Sequence, residues 1–162
     1  MKIIVAIDPG TTESAYVTWT GRAMVQSEII PNGTMLHILE NNLTCQHYAV
    51  HIEMVACYGM PVGKEVFETV LWIGQFVHAC KIRGVECNLV YRQQVKLHHC
   101  QSPRAKDANV RQVLIDKYGK PGTKKAPGVT YGLKSHIWQA FAIAAFVSES
   151  AELTSIDNKG KE

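Results

Sequence analysis

One short segment constrains the fold more than any other. Ile3-Ile4-Val5-Ala6-Ile7 is an unbroken apolar run that ends on Asp8, and Pro9-Gly10 turns the chain immediately afterwards. A run this short and this uniform predicts a strand buried on both faces. Such a strand lies inside a parallel or mixed sheet, and an acid at its carboxyl end stands where α/β sheets place ligands. The anomaly recurs in Ala49-Val50-His51-Ile52-Glu53-Met54-Val55, where a glutamate interrupts a second apolar strand. A buried carboxylate is destabilising unless something pairs with it. One cation held between the two acids relieves both. The alternatives are a lysine or arginine paired with Glu53, and Asp8 as the cap of its own turn.

The remaining pattern supplies the layers. Residues 2–7, 14–20 and 23–30 predict a meander of three strands, the second half-buried with Ala15, Val17 and Trp19 on its inner face. Pro31-Asn32-Gly33 breaks it, and a short helix follows to Glu40. A fourth strand is expected over 48–55. A long helix over 64–81 has Val66, Val70, Ile73 and Val77 at core spacing, and Gly84 stops it. The fifth strand spans 85–91. Asp107 is placed to N-cap a helix over 108–118, and 119–132 reads as a mobile loop rich in Gly, Pro and Lys. The last helix is expected from Ser135 to Val147, apolar on all sides from Ala140 onward. The expected fold is therefore α/β, a mixed sheet covered on both faces, with residues 1–148 as one domain and 149–162 as a polar tail. The N-terminal apolar run is too short for a signal peptide and lacks a small-residue cleavage pattern, and no run is long enough to span a membrane.

Charge points to a partner. The chain carries a formal +3, but residues 92–125 hold nine Lys/Arg against Asp107 and Asp116, so that segment is +7 and the rest is −4. A polyanion is the natural partner, and Lys96, Arg104, Lys106, Arg111, Lys124 and Lys125 are the candidate phosphate contacts. A merely solvated basic face fits the same composition. The five cysteines are odd in number and show no C-x-x-C spacing, which argues against a disulfide framework and a structural zinc site and suits reduced thiols in the cytoplasm. His98-His99-Cys100 has metal-ligand chemistry but lacks partners nearby in sequence.

The final helix opens on Lys134-Ser135-His136-Ile137-Trp138-Gln139, where His136 and Gln139 share a face as the polar residues of an otherwise apolar first turn. Taken in order, the strand acid of I-D-P-G, the strand acid of I-E, the basic stretch and the alanine-rich last helix resemble the RuvC-type Holliday junction resolvases of the RNase H-like superfamily, their phage-encoded members above all. The likeness runs from Lys2 to about Val147. It implies an RNase H-like, five-stranded mixed sheet and a structure-selective endonuclease that resolves four-way DNA junctions as a homodimer, in the cytoplasm of a bacterial host if phage-encoded. It also implies two Mg²⁺ ions per site, with Mn²⁺ as a substitute. By position the ligands are Asp8, Glu53 and His136, with Asp8 between the two ions and Gln139 where many members carry an acid.

Hard cations prefer charged oxygen ligands, so His and Gln leave this ligand set poor in charge and tilt it toward Mn²⁺. Asp107, ahead of Glu13, Glu65 and Glu68, is the acid expected to make up the deficit at the catalytic centre. The implied reaction is hydrolysis of a DNA phosphodiester to a 5′ phosphate and a 3′ hydroxyl. The long helix would pair the protomers through Phe67, Leu71 and Phe76. An RNase H acting on RNA–DNA hybrid and a non-catalytic junction-binding protein are the alternatives within the same fold. The strand-turn also resembles the phosphate-binding turn of the actin and sugar-kinase superfamily, but those proteins need two such domains and a second glycine-rich loop.

Overall fold

The computed structural model of the chain describes residues 2–159, so the last three residues of the expected polar tail lie outside it. Five strands, β1 (Ile3–Pro9), β2 (Glu13–Trp19), β3 (Met24–Pro31), β4 (Tyr48–Met54) and β5 (Glu86–Tyr91), form one sheet in the order β3-β2-β1-β4-β5. The first three make an antiparallel meander, while β4 pairs in parallel with β1 and β5 in parallel with β4. The apolar run of β1 is thus central, and its side chains alternate between two cores as a strand requires. Ile4 and Ala6 face a core shared with α3 (Arg92–Cys100), α4 (Asp107–Tyr118) and α5 (Ile137–Lys159). Val5 and Ile7 face one shared with α1 (Asn32–Asn41) and α2 (Lys64–Ile82). This is the expected mixed sheet with helices on both faces.

Helix α5 crosses β1 and β2 closely because its sheet-facing turns are mostly alanine: Ala140, Ala142, Ala144 and Ala145 are all buried. The remaining space is filled by Phe141, whose ring meets Trp19 edge-on at 5.3 Å between centroids. Burial of this many large side chains against one sheet is the dominant stabilising term, at about 25 cal/mol per Å² of apolar surface.

Several local expectations are corrected. Strand β2 is covered on both faces, because Tyr16 packs into the second core while Ala15, Val17 and Trp19 pack into the first. Helix α2 is rotated about its axis from the expected face. Thr69, Ile73, Phe76 and Cys80 are buried, and Val70 is exposed. Both sets satisfy helical spacing; the set that buries the large Phe76 ring removes more apolar area from water. Phe76 is therefore a core residue and not part of an exposed stripe. Helix α3 has no counterpart in the sequence reading, since Val95 is its one buried residue and a single anchor makes no period. Lys106 is the cap position of α4, so Asp107 is its first residue rather than its N-cap.

The segment 119–132 is partly ordered by a small hairpin of β6 (Gly122–Thr123) and β7 (Ala126–Pro127). Gly128 is required there, because a Cβ would collide with the Lys120 carbonyl oxygen. Helix α5 continues past Val147. Ser148 is buried, and Glu149 accepts hydrogen bonds from Tyr118 Oη at 2.6 Å and from Lys117 Nζ and His98 Nε2 at 2.7 Å each. These bonds outweigh burial and hold the Glu149 carboxyl at about 2. The start of the expected polar tail is thus a fastening point for α3 and α4.

Phe76→Ala is expected to destabilise the fold by about 3–5 kcal/mol through the cavity it leaves, and Phe67→Ala by no more than about 0.5 kcal/mol. Urea denaturation of the two variants checks the assignment of the α2 faces.

Candidate functional site

Strand register builds the site. Ile7 of β1 lies opposite Ile52 of β4, so the residues that follow, Asp8 and Glu53, emerge side by side at the same edge of the sheet. Met54 of β4 lies opposite Tyr91 of β5, and the next residue, Arg92, opens α3. All three strands run in the same direction, so the three charged side chains gather at their carboxyl ends. Asp8 and Glu53 are each only 8% exposed.

The turn after Asp8 is held from both sides. Gly10 is needed because a Cβ there would stand 2.5 Å from the Glu13 carbonyl oxygen. The buried Asn32, at the start of α1, donates from Nδ2 to the Gly10 carbonyl at 2.9 Å and accepts from Ser14 Oγ at 2.6 Å. Its backbone N–H donates to the Thr12 carbonyl at 2.9 Å. From the opposite side, Ser135 takes a left-handed conformation (φ 46°) and presents His136, whose Nδ1 lies 2.9 Å from Asp8 Oδ2. An ionised carboxylate only accepts, so Nδ1–H is the donor in this contact. The result is an open cleft of about 420 Å³ lined by Asp8, Glu13, Glu53, Arg92, His136 and the turn 9–12.

The electrostatics of this cleft are strained. Burial raises the Asp8 carboxyl above its ordinary range, against the pull of His136 and Arg92. Burial, reinforced by the charge of Asp8, pushes Glu53 up to about 7, although Arg92 opposes it. Arg92 donates from Nη1 to Glu53 Oε1 at 3.0 Å and from Nη2 to Asp107 Oδ2 at 2.8 Å. Lys96 adds a second cation on Asp107 Oδ1 at 3.1 Å. For Asp107 burial works upward, but these two partners win and hold it below its ordinary range.

The structure therefore brings together three of the sequence-derived site residues, Asp8, Glu53 and His136. Gln139 and Asp107 line a separate shallow depression with Arg111 and Trp138. Among the acids weighed as a supplement, Glu13 lines the cleft; Glu65 and Glu68 lie on α2 and do not. Of the basic candidates, Arg104 and Lys106 are exposed just before α4, and Lys124 and Lys125 are exposed at the tip of the hairpin. Arg111 lies over the Trp138 ring, 4.8 Å from its centroid, and Lys96 is tied to Asp107.

Sequence reasoning missed two residues of the site. In sequence Arg92 is one cation of the basic segment, yet like Asp8 it stands at the end of a parallel strand, here beside Glu53. Asn32 stands in sequence within a chain-breaking Pro-Asn-Gly, and nothing in its neighbours signals the contact with Gly10.

The donor set fits a divalent cation. Two desolvated carboxylates, the first raising the proton affinity of the second, are relieved by one bound positive charge, and the His136 imidazole stands beside Asp8. A second group of possible ligands lies elsewhere among the described residues. Ligand atoms of His98, His99 and Glu149 lie within 4.8 Å of one another, but Glu149 is already hydrogen-bonded to Lys117 and Tyr118.

No family model matches the chain, and no curated protein matches its sequence. In three dimensions it is similar to RuvC of Thermus thermophilus, with a TM-score of 0.68 at 19% identity over 94% of this chain and 96% of that one. It is equally similar to T. thermophilus RuvC in complex with Holliday junction substrate, with a TM-score of 0.69 at 18% identity over 95% and 97%. The chain has the RuvC-like, RNase H-like fold.

In the absence of added divalent ions, stability should fall as pH rises from about 4.5, the ordinary value, toward about 7, the folded value of Glu53. The folded state holds the proton more tightly across that window, so ionisation works against folding. Glu53→Gln should lose this dependence and melt higher than the parent at pH 8, as checked by thermal denaturation across pH.

Proposed function

We propose that this chain is a divalent-metal-dependent endonuclease that resolves four-way DNA junctions. The observation that carries the reading is the pair of buried acids, Asp8 and Glu53, at the carboxyl ends of adjacent parallel strands in a RuvC-like fold. A neighbour of the same fold is recorded in complex with a Holliday junction, and the basic residues Arg104, Lys106, Lys124 and Lys125 are solvent-exposed. Asp8 and Glu53 are the residues that would hold Mg²⁺ or Mn²⁺, with His136 completing the set. The metal would supply Lewis-acid charge at the scissile phosphate.

The chain's own residues do the rest. The Gly10 turn and Asn32 fix the direction of Asp8, and His136 Nδ1 orients the same carboxylate from the other side. Exposed lysines and arginines bind phosphates, which positions the duplex arms without reading bases. Shape then selects the junction.

A junction has two-fold symmetry and needs two symmetric cuts, so the active form is a homodimer. Helix α2 offers the surface: Phe67 and Leu71 are 61% and 68% exposed, with Val70 between them. Among the described residues no helix is long and apolar enough to cross a membrane. Cutting of this kind belongs in the cytoplasm, of a bacterial host if the gene is carried by a phage.

With Mg²⁺ or Mn²⁺ the protein should introduce paired nicks in a labelled four-way junction, and Asp8→Asn should abolish them while leaving junction binding intact. Binding without nicking under both ions would reduce the protein to a junction-binding module, and faster cutting of an RNA–DNA hybrid would make it an RNase H. Lys124→Ala with Lys125→Ala should lower the slope of log affinity against log salt by about 1–2, measured by fluorescence anisotropy between 50 and 200 mM salt.

A further inference from the structure

Arg92 holds a position that the nuclease reading does not account for. It enters the cleft beside Glu53 and Asp8, in the midst of the acids a cation would need. Its guanidinium is fixed at two points, on Glu53 Oε1 and Asp107 Oδ2. Those bonds use two of its five N–H donors, and its side chain remains 34% exposed. Asp107, which holds one arm of the fork, is itself neutralised by Lys96. The groups lining the cleft are three carboxylates, Asp8, Glu13 and Glu53, against one guanidinium. A fixed guanidinium thus already stands among these acids as one positive charge. Gln139, which stands where a further charged ligand was expected, adds no charge and lines the neighbouring depression instead.

We propose, resting on the nuclease reading above, that this site works with one divalent ion and that Arg92 supplies the second positive charge at the scissile phosphate. The ion is held by Asp8 and Glu53. Arg92 uses its free N–H groups to bind a non-bridging phosphate oxygen and to stabilise the charge that builds up there. In the step itself the oxygen of a water forms a bond to phosphorus, and the bond from phosphorus to the 3′ oxygen breaks with its electron pair going to that oxygen. The water gives up one proton to solvent, and the 3′ oxygen takes one up, leaving a 5′ phosphate and a 3′ hydroxyl. Arginine suits this task because its charge is permanent and its planar fork matches phosphate geometry. Asp107 is a positioning residue that sets the direction of the fork.

The test combines ion counting with substitution. Mn²⁺ is titrated into the whole protein by calorimetry and by electron paramagnetic resonance, with Asp8→Asn to identify ions bound elsewhere, such as at His98 and Glu149. One Mn²⁺ per chain that is lost in Asp8→Asn is expected; two such ions would overturn the proposal. Arg92→Gln and Arg92→Lys are then compared with the parent for melting temperature, Mn²⁺ stoichiometry and junction nicking. Both should keep the single ion, and Arg92→Gln should bind it more tightly because a repelling charge is gone. Nicking should fall about 100-fold in Arg92→Gln, the usual effect of losing one fixed donor to a transition-state oxygen, with partial recovery in Arg92→Lys. Nicking at the parental rate in a folded Arg92→Gln would overturn the proposal. Efficient nicking with two ions defeats this inference alone, whereas no nicking and no Asp8-dependent Mn²⁺ defeats the nuclease reading and this inference with it.

Discussion

The structure depends on how two carboxyl groups are accommodated inside a sheet. Asp8 and Glu53 sit at the ends of adjacent central strands, each nearly out of contact with water; burial raises the proton affinity of both, and the charge of Asp8 raises that of Glu53 further. Left alone the pair would favour protonation, and the surrounding elements are arranged so that positive charge can reach it. Arg92 approaches from β5 and α3, and His136 from the turn before α5. Buried carboxyls with strongly perturbed proton affinity, gathered in one cleft, are a common signature of function.

The rest of the fold can be read as support for that edge of the sheet. The alanine-rich face of α5 lets the helix lie close to β1, which brings His136 within hydrogen-bond distance of Asp8. Helix α1 contributes Asn32 to the turn that aims Asp8. Helix α4 contributes Asp107, which holds Arg92 in turn. Far from the cleft, the Glu149 network ties α3 and α4 to α5, so the elements carrying Arg92, Asp107 and His136 are fastened to one another at both ends. The charged parts of the site thus come from strands and helix starts rather than from long loops, and a rigid frame of this kind favours electrostatic stabilisation of a transition state.

Much of this was legible in the residues. The continuous apolar run of β1 is buried on both faces wherever it is placed, so its central position and the placing of Asp8 at its carboxyl end followed directly. Glu53 followed from the same logic, and the buried stretch of α5 from its lack of a polar face. What could not be read were features set by competition in three dimensions. Two faces of α2 satisfy the same spacing, and only packing shows that Phe76 goes inward while Phe67 stays out. Helix α3 has one buried anchor and no period. Charge gave the segment 92–125 as basic but could not separate Arg92, which serves the cleft, from Lys124 and Lys125, which point to solvent. Asp107 illustrates the same limit: its sequence context fits a helix cap or a ligand equally, whereas its geometry makes it the holder of Arg92.

The central claim is that Asp8 and Glu53 form a cation site, and anomalous diffraction from crystals soaked in Mn²⁺ tests it most directly. The account predicts an anomalous peak between the two carboxylates at the carboxyl edge of β1 and β4. Clear density for Asp8 and Glu53 with no peak between them, or Mn²⁺ bound only beside His98 and Glu149, would contradict it.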